Sequence, residues 1–182
     1  VGFAGRRVYD NDRHDSKYVN SPTGPVFNKS ELLYWLHQAK VPAEKTGRVL
    51  VVEGYTDVMA CDAAGVSEVV ASCGTAFGDA HLRLLRRTLP DARIVFCFDG
   101  DAAGRRAAGR ALEVSLEHLA DNKTLSFLFL PEEHDPDSFV RAEGPDAFRS
   151  AMNRALPLAE FLLAELKKDI DLSTAEGCAR LV

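Results

Sequence analysis

Arg48–Asp57 reads Arg-Val-Leu-Val-Val-Glu-Gly-Tyr-Thr-Asp (RVLVVEGYTD). Four consecutive apolar residues, three of them valines, are too continuous for a half-exposed strand and suit one covered on both faces. Glu53 follows at once, with Gly54 beside it, and a carboxylate in that place has little structural use. The pattern recurs twice. Arg93–Phe98 (RIVFCF) runs into Asp99-Gly100-Asp101, and Leu125–Leu130 (LSFLFL) precedes Asp135-Pro136-Asp137. If the three strands are parallel, all three clusters emerge along one edge of one sheet, outside the carboxyl ends of the strands, where open α/β sheets bind ligands. Six carboxylates in one crevice repel one another unless cations compensate, so the arrangement predicts a divalent-metal site.

The intervening sequence supports parallel strands. A helix is expected over Asp57–Ala64, ended by Gly65, then a strand at Ser67–Ser72 and a loop at Cys73–Gly78. Helical spacing of Leu82, Leu85 and Leu89 marks a helix from Asp79 to Thr88, and another is expected from Ala102 to Leu119. Strands alternating with helices of this length imply right-handed crossovers and a helix-covered parallel sheet. Upstream, residues 1–29 are punctuated by Gly and Pro and read as irregular. Ser30 looks like the N-cap of a helix to Lys40, with Pro42–Gly47 as a linker. Downstream, short helices are expected at Pro136–Glu143, Pro145–Ala155 and Pro157–Lys168, with Pro145 and Pro157 in first-turn positions.

The 182 residues are 46% apolar and 27% charged, which suits one ordinary globular domain with small appendages. No apolar run approaches the about 18 residues of a membrane span, so no membrane partner is expected. The chain begins with Val1 and ends at Val182 just after a new helix start, which reads as a piece of a longer protein. The net charge of −5 is unevenly distributed: residues 1–48 carry eight Lys/Arg against five Asp/Glu. An acidic whole argues against a histone-like DNA binder. The four cysteines (Cys61, Cys73, Cys97, Cys178) form no CxxC pair, which implies reduced thiols, a cytoplasmic setting and no structural zinc within this segment.

Magnesium takes oxygen ligands: a few carboxylates, retained waters and substrate phosphates. In Asp99-Gly100-Asp101 two carboxylates can leave one tight turn, and Gly104 lets the next helix start close by. Each cluster also has a plainer reading. Asp99–Gly104 (DGDAAG) could be a surface turn capping a helix, and Asp135–Asp137 an acidic helix N-terminus. An EF-hand fails, because its twelfth position would be Arg110 where a Glu is required. The joint occurrence of all three at strand ends favours the metal site. Inner ligands on this reading are Glu53, Asp99, Asp101 and Asp135, with Asp57 one helical turn on to support or orient. The histidines are isolated: His81 and His118 read as surface positions, and His134 as exposed beside Asp135.

Val51–Asp57 (VVEGYTD), Asp99–Gly104 and Asp135–Asp137 resemble the three motifs of the TOPRIM domain, shared by topoisomerases, bacterial primases and certain nucleases. With Val1–Arg6 (VGFAGR), Lys17–Pro22 (KYVNSP), Phe27-Asn28-Lys29, Ala71–Thr75 (ASCGT) and Leu130–Val140 (LPEEHDPDSFV), the chain resembles the RNA polymerase core of bacterial DnaG-type primases from end to end. The resemblance implies an α/β fold: a TOPRIM-like, Rossmann-type parallel sheet flanked by helices, an irregular α+β basic segment before it and a small helical bundle after it. It divides the chain into part of a basic subdomain (1–47), the TOPRIM domain (48–144) and a C-terminal helical segment (145–182). It implies Glu53, Asp57, Asp99, Asp101, Asp135 and Asp137 as the acidic, metal-holding set, with Glu53, Asp99 and Asp101 catalytic.

Lys17 offers phosphate a point charge and Tyr18 offers a base a stacking face, although a solvated loop reads the same way. The resemblance implies Lys17, Asn20 and Arg6 as nucleotide or nucleic-acid contacts beside the crevice. Expected cofactors are two or more Mg2+ or Mn2+ ions, with zinc only in a domain outside this chain. Expected partners are a single-stranded DNA template, an RNA primer, ribonucleoside triphosphates and, through a further domain, the replicative helicase, with the fragment itself monomeric. The expected chemistry is nucleotidyl transfer without a protein nucleophile. Rival readings are a TOPRIM nuclease or topoisomerase fragment, and a TOPRIM module that only binds DNA. The KYVNSP segment argues against the first and the complete acidic set against the second. A dehalogenase-like phosphatase would need a Thr close behind its DxD, which Asp99–Ala103 lacks.

Overall fold

The computed structural model describes residues 2–7, 18–25, 27–118 and 124–168. Two short strands, β1 (Ala4–Arg6) and β2 (Tyr18–Asn20), pair antiparallel with Ala4 opposite Asn20. A five-stranded sheet follows, built from β3 (Arg48–Val52), β4 (Val69–Ala71), β5 (Arg93–Phe98), β6 (Leu125–Phe129) and β7 (Leu156–Pro157). Its spatial order is β4-β3-β5-β6-β7, parallel throughout except for β7. The chain leaves β3 toward β4 on one side and returns to β5 on the other. Strand order therefore reverses between β3 and β5, which makes that gap the topological switch point.

Both faces of the sheet are covered, as the unbroken apolar strands require. Val49, Val51, Ile94, Phe96 and Phe127 point to one face, where α1 (Leu36–Thr46), α3 (Asp79–Thr88), α4 (Ala102–Leu116) and α6 (Leu158–Lys167) pack. Leu50, Val52, Val95, Cys97 and Leu128 point to the other, against α2 (Tyr55–Ala63) and α5 (Pro136–Asn153). The alternation is the period of two that a pleated strand imposes. Aromatic rings knit the first face: Phe96 meets Phe77 edge-on at 4.8 Å and stacks on Phe127 at 5.2 Å, and Phe127 meets Phe161 at 4.6 Å.

The expected α/β fold stands, and several boundaries move. Ser30 does not begin an α-helix. Asn28 accepts from the Ser30 amide at 3.2 Å and caps only a 3-10 turn, Lys29–Glu31. Tyr34 then bonds Ala71 through both backbone groups, at 2.8 and 3.2 Å. That bridge at the outer edge of β4 holds the chain extended. Trp35 turns it with φ +68°, and α1 starts at Leu36. The helix runs to Thr46, so the expected linker is helical and Pro42 lies inside it, at the cost of one helical hydrogen bond. The expected helices over Pro136–Glu143 and Pro145–Ala155 are the two arms of α5, kinked where Gly144 adopts φ +82°. β7 was not expected. Pro157 is tolerated in it because the strand lies at the sheet edge.

His81 is a correction. It is buried rather than on the surface: Nδ1 accepts from the Gly78 amide at 3.2 Å and Nε2 donates to the Lys29 carbonyl at 2.9 Å. The ring thus caps α3 and ties the 3-10 turn to it. His118 is half-buried and paired with Asp79. His134 is likewise only partly exposed and contacts Ser138 at 3.2 Å.

Two glycines of α4 have opposite roles. A Cβ on Gly104 would stand 2.1 Å from the Asp99 carbonyl oxygen, whereas one on Gly109 would meet nothing within 4 Å. Gly104→Ala is expected to cost about 2–3 kcal/mol through overpacking. Gly109→Ala is expected to gain about 1 kcal/mol through helix propensity. Urea-unfolding midpoints of the two variants check both signs.

Candidate active site

The switch point places Glu53, at the end of β3, beside Asp99, at the end of β5. Around them lies a crevice of about 390 Å³, lined also by Asp57, Asp135, Asn20 and Arg110. Each wall has a local cause. Asp57 Oδ2 accepts from the Gly54 amide at 2.9 Å, which fixes the turn from β3 into α2. Gly100 donates its amide to the His134 carbonyl at 3.1 Å and tucks against Pro131, whose oxygen would stand 2.2 Å from a Cβ there. The second and third acidic clusters are thereby tied backbone to backbone. Opposite them, Cys73 and Gly74 take φ of +54° and +79°. The loop after β4 folds back over the crevice, anchored by the Cys73 amide on the Glu53 carbonyl at 3.1 Å.

The six predicted carboxylates divide. Glu53, Asp57, Asp99 and Asp135 line the crevice. Asp101 is exposed and caps α4, accepting from the Gly104 amide at 2.7 Å. Asp137 is partly buried and pairs with Arg141 one turn on along α5. Neither lines the crevice itself, Asp101 being engaged in a helix cap and Asp137 in an ion pair, although their charges act on Glu53 and Asp57. Among the described residues, no three His, Cys, Asp or Glu side chains are grouped closely enough to hold a metal by themselves. Asp135 also caps its helix, accepting from the Ser138 amide at 2.7 Å.

Glu53 and Asp57 are held under electrostatic load. Burial, then the charges of Asp99 and Asp101, raise the Glu53 carboxyl, opposed by Arg110 and the Asp99 amide. Burial raises Asp57 to about 7, against the pull of the Gly54 hydrogen bond, and Asp99, Asp135 and Asp137 add to the rise. Glu53 Oε1 is buried with no hydrogen-bond partner among the described residues. An orphaned buried carboxylate oxygen facing a second carboxylate is a donor set suited to a hard cation that completes its shell with water and phosphate.

Of the expected nucleic-acid contacts, Lys17 lies outside the described residues. Arg6 is on β1, and Asn20 lines the crevice from β2. Its Oδ1 accepts from the Tyr55 hydroxyl at 2.8 Å, which brings the N-terminal hairpin to the acidic site. Sequence reasoning missed this bond, since nothing in either motif names its partner 35 residues away. It also passed over Arg110, whose signal is only its place three residues after Ala107 on one helix face.

A family model described as Toprim-like matches residues 50–140, and one described as the N-terminal domain of the DNA primase catalytic core matches residues 1–40. A DNA primase of Neisseria meningitidis is 49% identical over the whole chain, which spans 30% of that protein. A DNA primase domain from Pseudomonas aeruginosa superposes with a TM-score of 0.90 at 48% identity, over 99% of this chain and 55% of that one. A DnaG primase catalytic domain bound to single-stranded DNA superposes with a TM-score of 0.89 at 43% identity, over 99% and 55%. The chain thus spans about a third of the full-length relatives and about half of the solved cores.

The raised Asp57 carboxyl has a stability consequence. Its folded value, about 7, exceeds the ordinary 3.8, so between these limits the folded state holds the proton more tightly. Stability falls as pH rises through that window. With metal chelated, Asp57→Asn, which keeps an acceptor for the Gly54 amide, is expected to raise the melting temperature. The gain should be absent near pH 4, grow with pH and level off above about pH 7. Thermal melts across that range check it.

Proposed function

The chain belongs to the Toprim-like family, in its bacterial DnaG-type primase branch, and on that premise we propose that it is the catalytic core of a primase. Its reaction would be metal-dependent nucleotidyl transfer, joining ribonucleoside triphosphates into short RNA primers on a single-stranded DNA template. The observation that carries this reading is Glu53 at the switch point, its buried Oε1 without a partner and Asp99 beside it. Glu53 and Asp99 are the residues to hold magnesium or manganese, with Asp135 at the rim and Asp101 and Asp137 within reach of their turns. When bound, such ions neutralise the triphosphate and lower the pKa of the attacking 3′-hydroxyl.

The chain's own residues organise this centre. Asp57 holds the β3–α2 turn through Gly54, and the Gly100–His134 bond fixes the distance between the second and third clusters. Asn20, its amide oriented by Tyr55, stands where a nucleotide would enter, and the β1–β2 hairpin that carries Arg6 leads toward it. A similar catalytic domain has been solved bound to single-stranded DNA, and Lys17 would complete the proposed basic flank. Residues 1–47 would then belong to the basic subdomain, 48–144 to the Toprim unit and 145–182 to a helical appendage. Template-selecting zinc and helicase contact are assigned to parts of the full-length enzyme beyond this segment, acting at the replication fork in the cytoplasm.

Glu53→Ala and Asp99→Ala are each expected to lower primer synthesis by the full-length enzyme about a thousandfold, the worth of several kcal/mol of charge stabilisation. Their circular dichroism should be unchanged. Primer synthesis at normal rates by either variant would overturn the reading. Manganese titrated with a nucleoside triphosphate should give a bound paramagnetic signal that Glu53→Ala removes.

A further inference from the structure

The carboxylates account for one rim of the crevice and leave the other, α4, unexplained. After Gly104, which packs the helix onto the Asp99 backbone, Ala107 and Arg110 are the residues of α4 that line the crevice. A spacing of three puts them on one face. Ala107 is small, so the long side chain that α4 brings to the crevice is that of Arg110, an exposed residue. Among the residues lining the crevice, Arg110 is the one cation.

Several arginines of the fold have direct partners. Arg48 bonds Glu68 at 3.0 Å, Arg93 bonds Ser126 at 2.8 Å and Arg149 bonds the Gly65 carbonyl at 2.9 Å. Arg110 forms no hydrogen bond or ion pair with another described residue. It acts on Glu53 only through space, easing the rise of that carboxyl. The crevice is therefore bipolar: carboxylates at the strand ends and a guanidinium with all its donors available on the opposing helix. A ligand that satisfies both ends carries several adjacent anionic oxygens, some for metal-bridged carboxylates and some for a planar fork of N–H donors. A nucleoside triphosphate has that form. A DNA phosphodiester, with one charge per phosphate, does not.

We propose that Arg110 is a substrate-binding residue that takes the terminal phosphate oxygens of the incoming nucleoside triphosphate. This rests on the reading of the crevice as a nucleotidyl-transfer site and adds to it a counter-charge that the acidic motifs do not contain. Because the terminal phosphates are bound alike before and during the reaction, Arg110 governs KM rather than kcat.

The test measures ATP and tripolyphosphate binding to the chain by calorimetry with magnesium, together with KM and kcat of the full-length enzyme. Arg110→Ala is expected to weaken both ligands and raise KM about ten- to a hundredfold, as loss of a charge-assisted hydrogen bond implies. The kcat should stay within about threefold. Arg110→Lys should recover part of the affinity, having the charge without the fork. Arg106→Ala, exposed on the same helix but outside the crevice, should change nothing. Wild-type affinity and KM in Arg110→Ala, in an enzyme that Glu53→Ala inactivates, would overturn this assignment and leave the active site standing. So would a fall in kcat at constant KM, or a loss of single-stranded DNA affinity without loss of nucleotide. Full activity in Glu53→Ala would remove the site itself.

Discussion

Val51 lies opposite Phe96 where β3 pairs with β5, and that parallel register sets where the acidic residues stand. Carried past the strand ends, it brings Glu53 level with Phe98 and one step from Asp99. A slip of a single residue would turn Glu53 and every other side chain of β3 to the opposite face, out of their layers. With both faces buried, Val49 and Val51 against one set of helices and Leu50 and Val52 against the other, no alternative register is tolerable. The packing that stabilises the sheet thus also positions the carboxylates, and the same residues serve both ends.

That coupling has a cost. Glu53 and Asp57 are buried next to like charges, and both carboxyls are raised. Folding must concentrate negative charge at the switch point against Coulomb repulsion, and the hydrophobic layers on each side offset this. The backbone tie from Gly100 to His134 and the close contact of Gly104 with Asp99 are rigid features, so the turns cannot relax by spreading apart. Negative charge held under load by a stiff frame favours cations, because their binding relieves what folding imposed.

The strands were legible because burial on both faces writes itself as an unbroken apolar run. The helix at Asp79–Thr88 was legible because its leucines repeat at helical spacing. What escaped depends on contacts between distant segments. The Tyr34–Ala71 bridge kept Leu32–Trp35 out of the expected helix, and no local propensity registers a bridge to a strand 37 residues on. His81 looked like a surface residue on an amphipathic helix; its burial follows from the Lys29 carbonyl, reached only in three dimensions. At the site, Glu53, Asp57, Asp99 and Asp135 line the crevice, and Asp101 and Asp137 do not. Asp101 and Asp137 carry the same sequence signal as their neighbours, and their bonds to the Gly104 amide and to Arg141 are not written in it.

Tyr55 bears on which chemistry the crevice supports. It lies inside the first acidic motif, next to Gly54. A nucleophilic phenol must lose its proton to a nearby base. The Tyr55 hydroxyl instead donates to Asn20 Oδ1 at 2.8 Å, its ring is held edge-on against Tyr34 at 4.8 Å, and burial together with Cys73 pushes its ionisation up to about 12. Every one of these contacts keeps the proton on oxygen. The residue is a strut between the N-terminal hairpin and the acidic turn, and losing its hydroxyl would disorient Asn20 rather than remove an attacking group. Among the described residues that line the crevice the one phenol is thus held as a donor, which gives it no part as a nucleophile in the proposed nucleotidyl transfer.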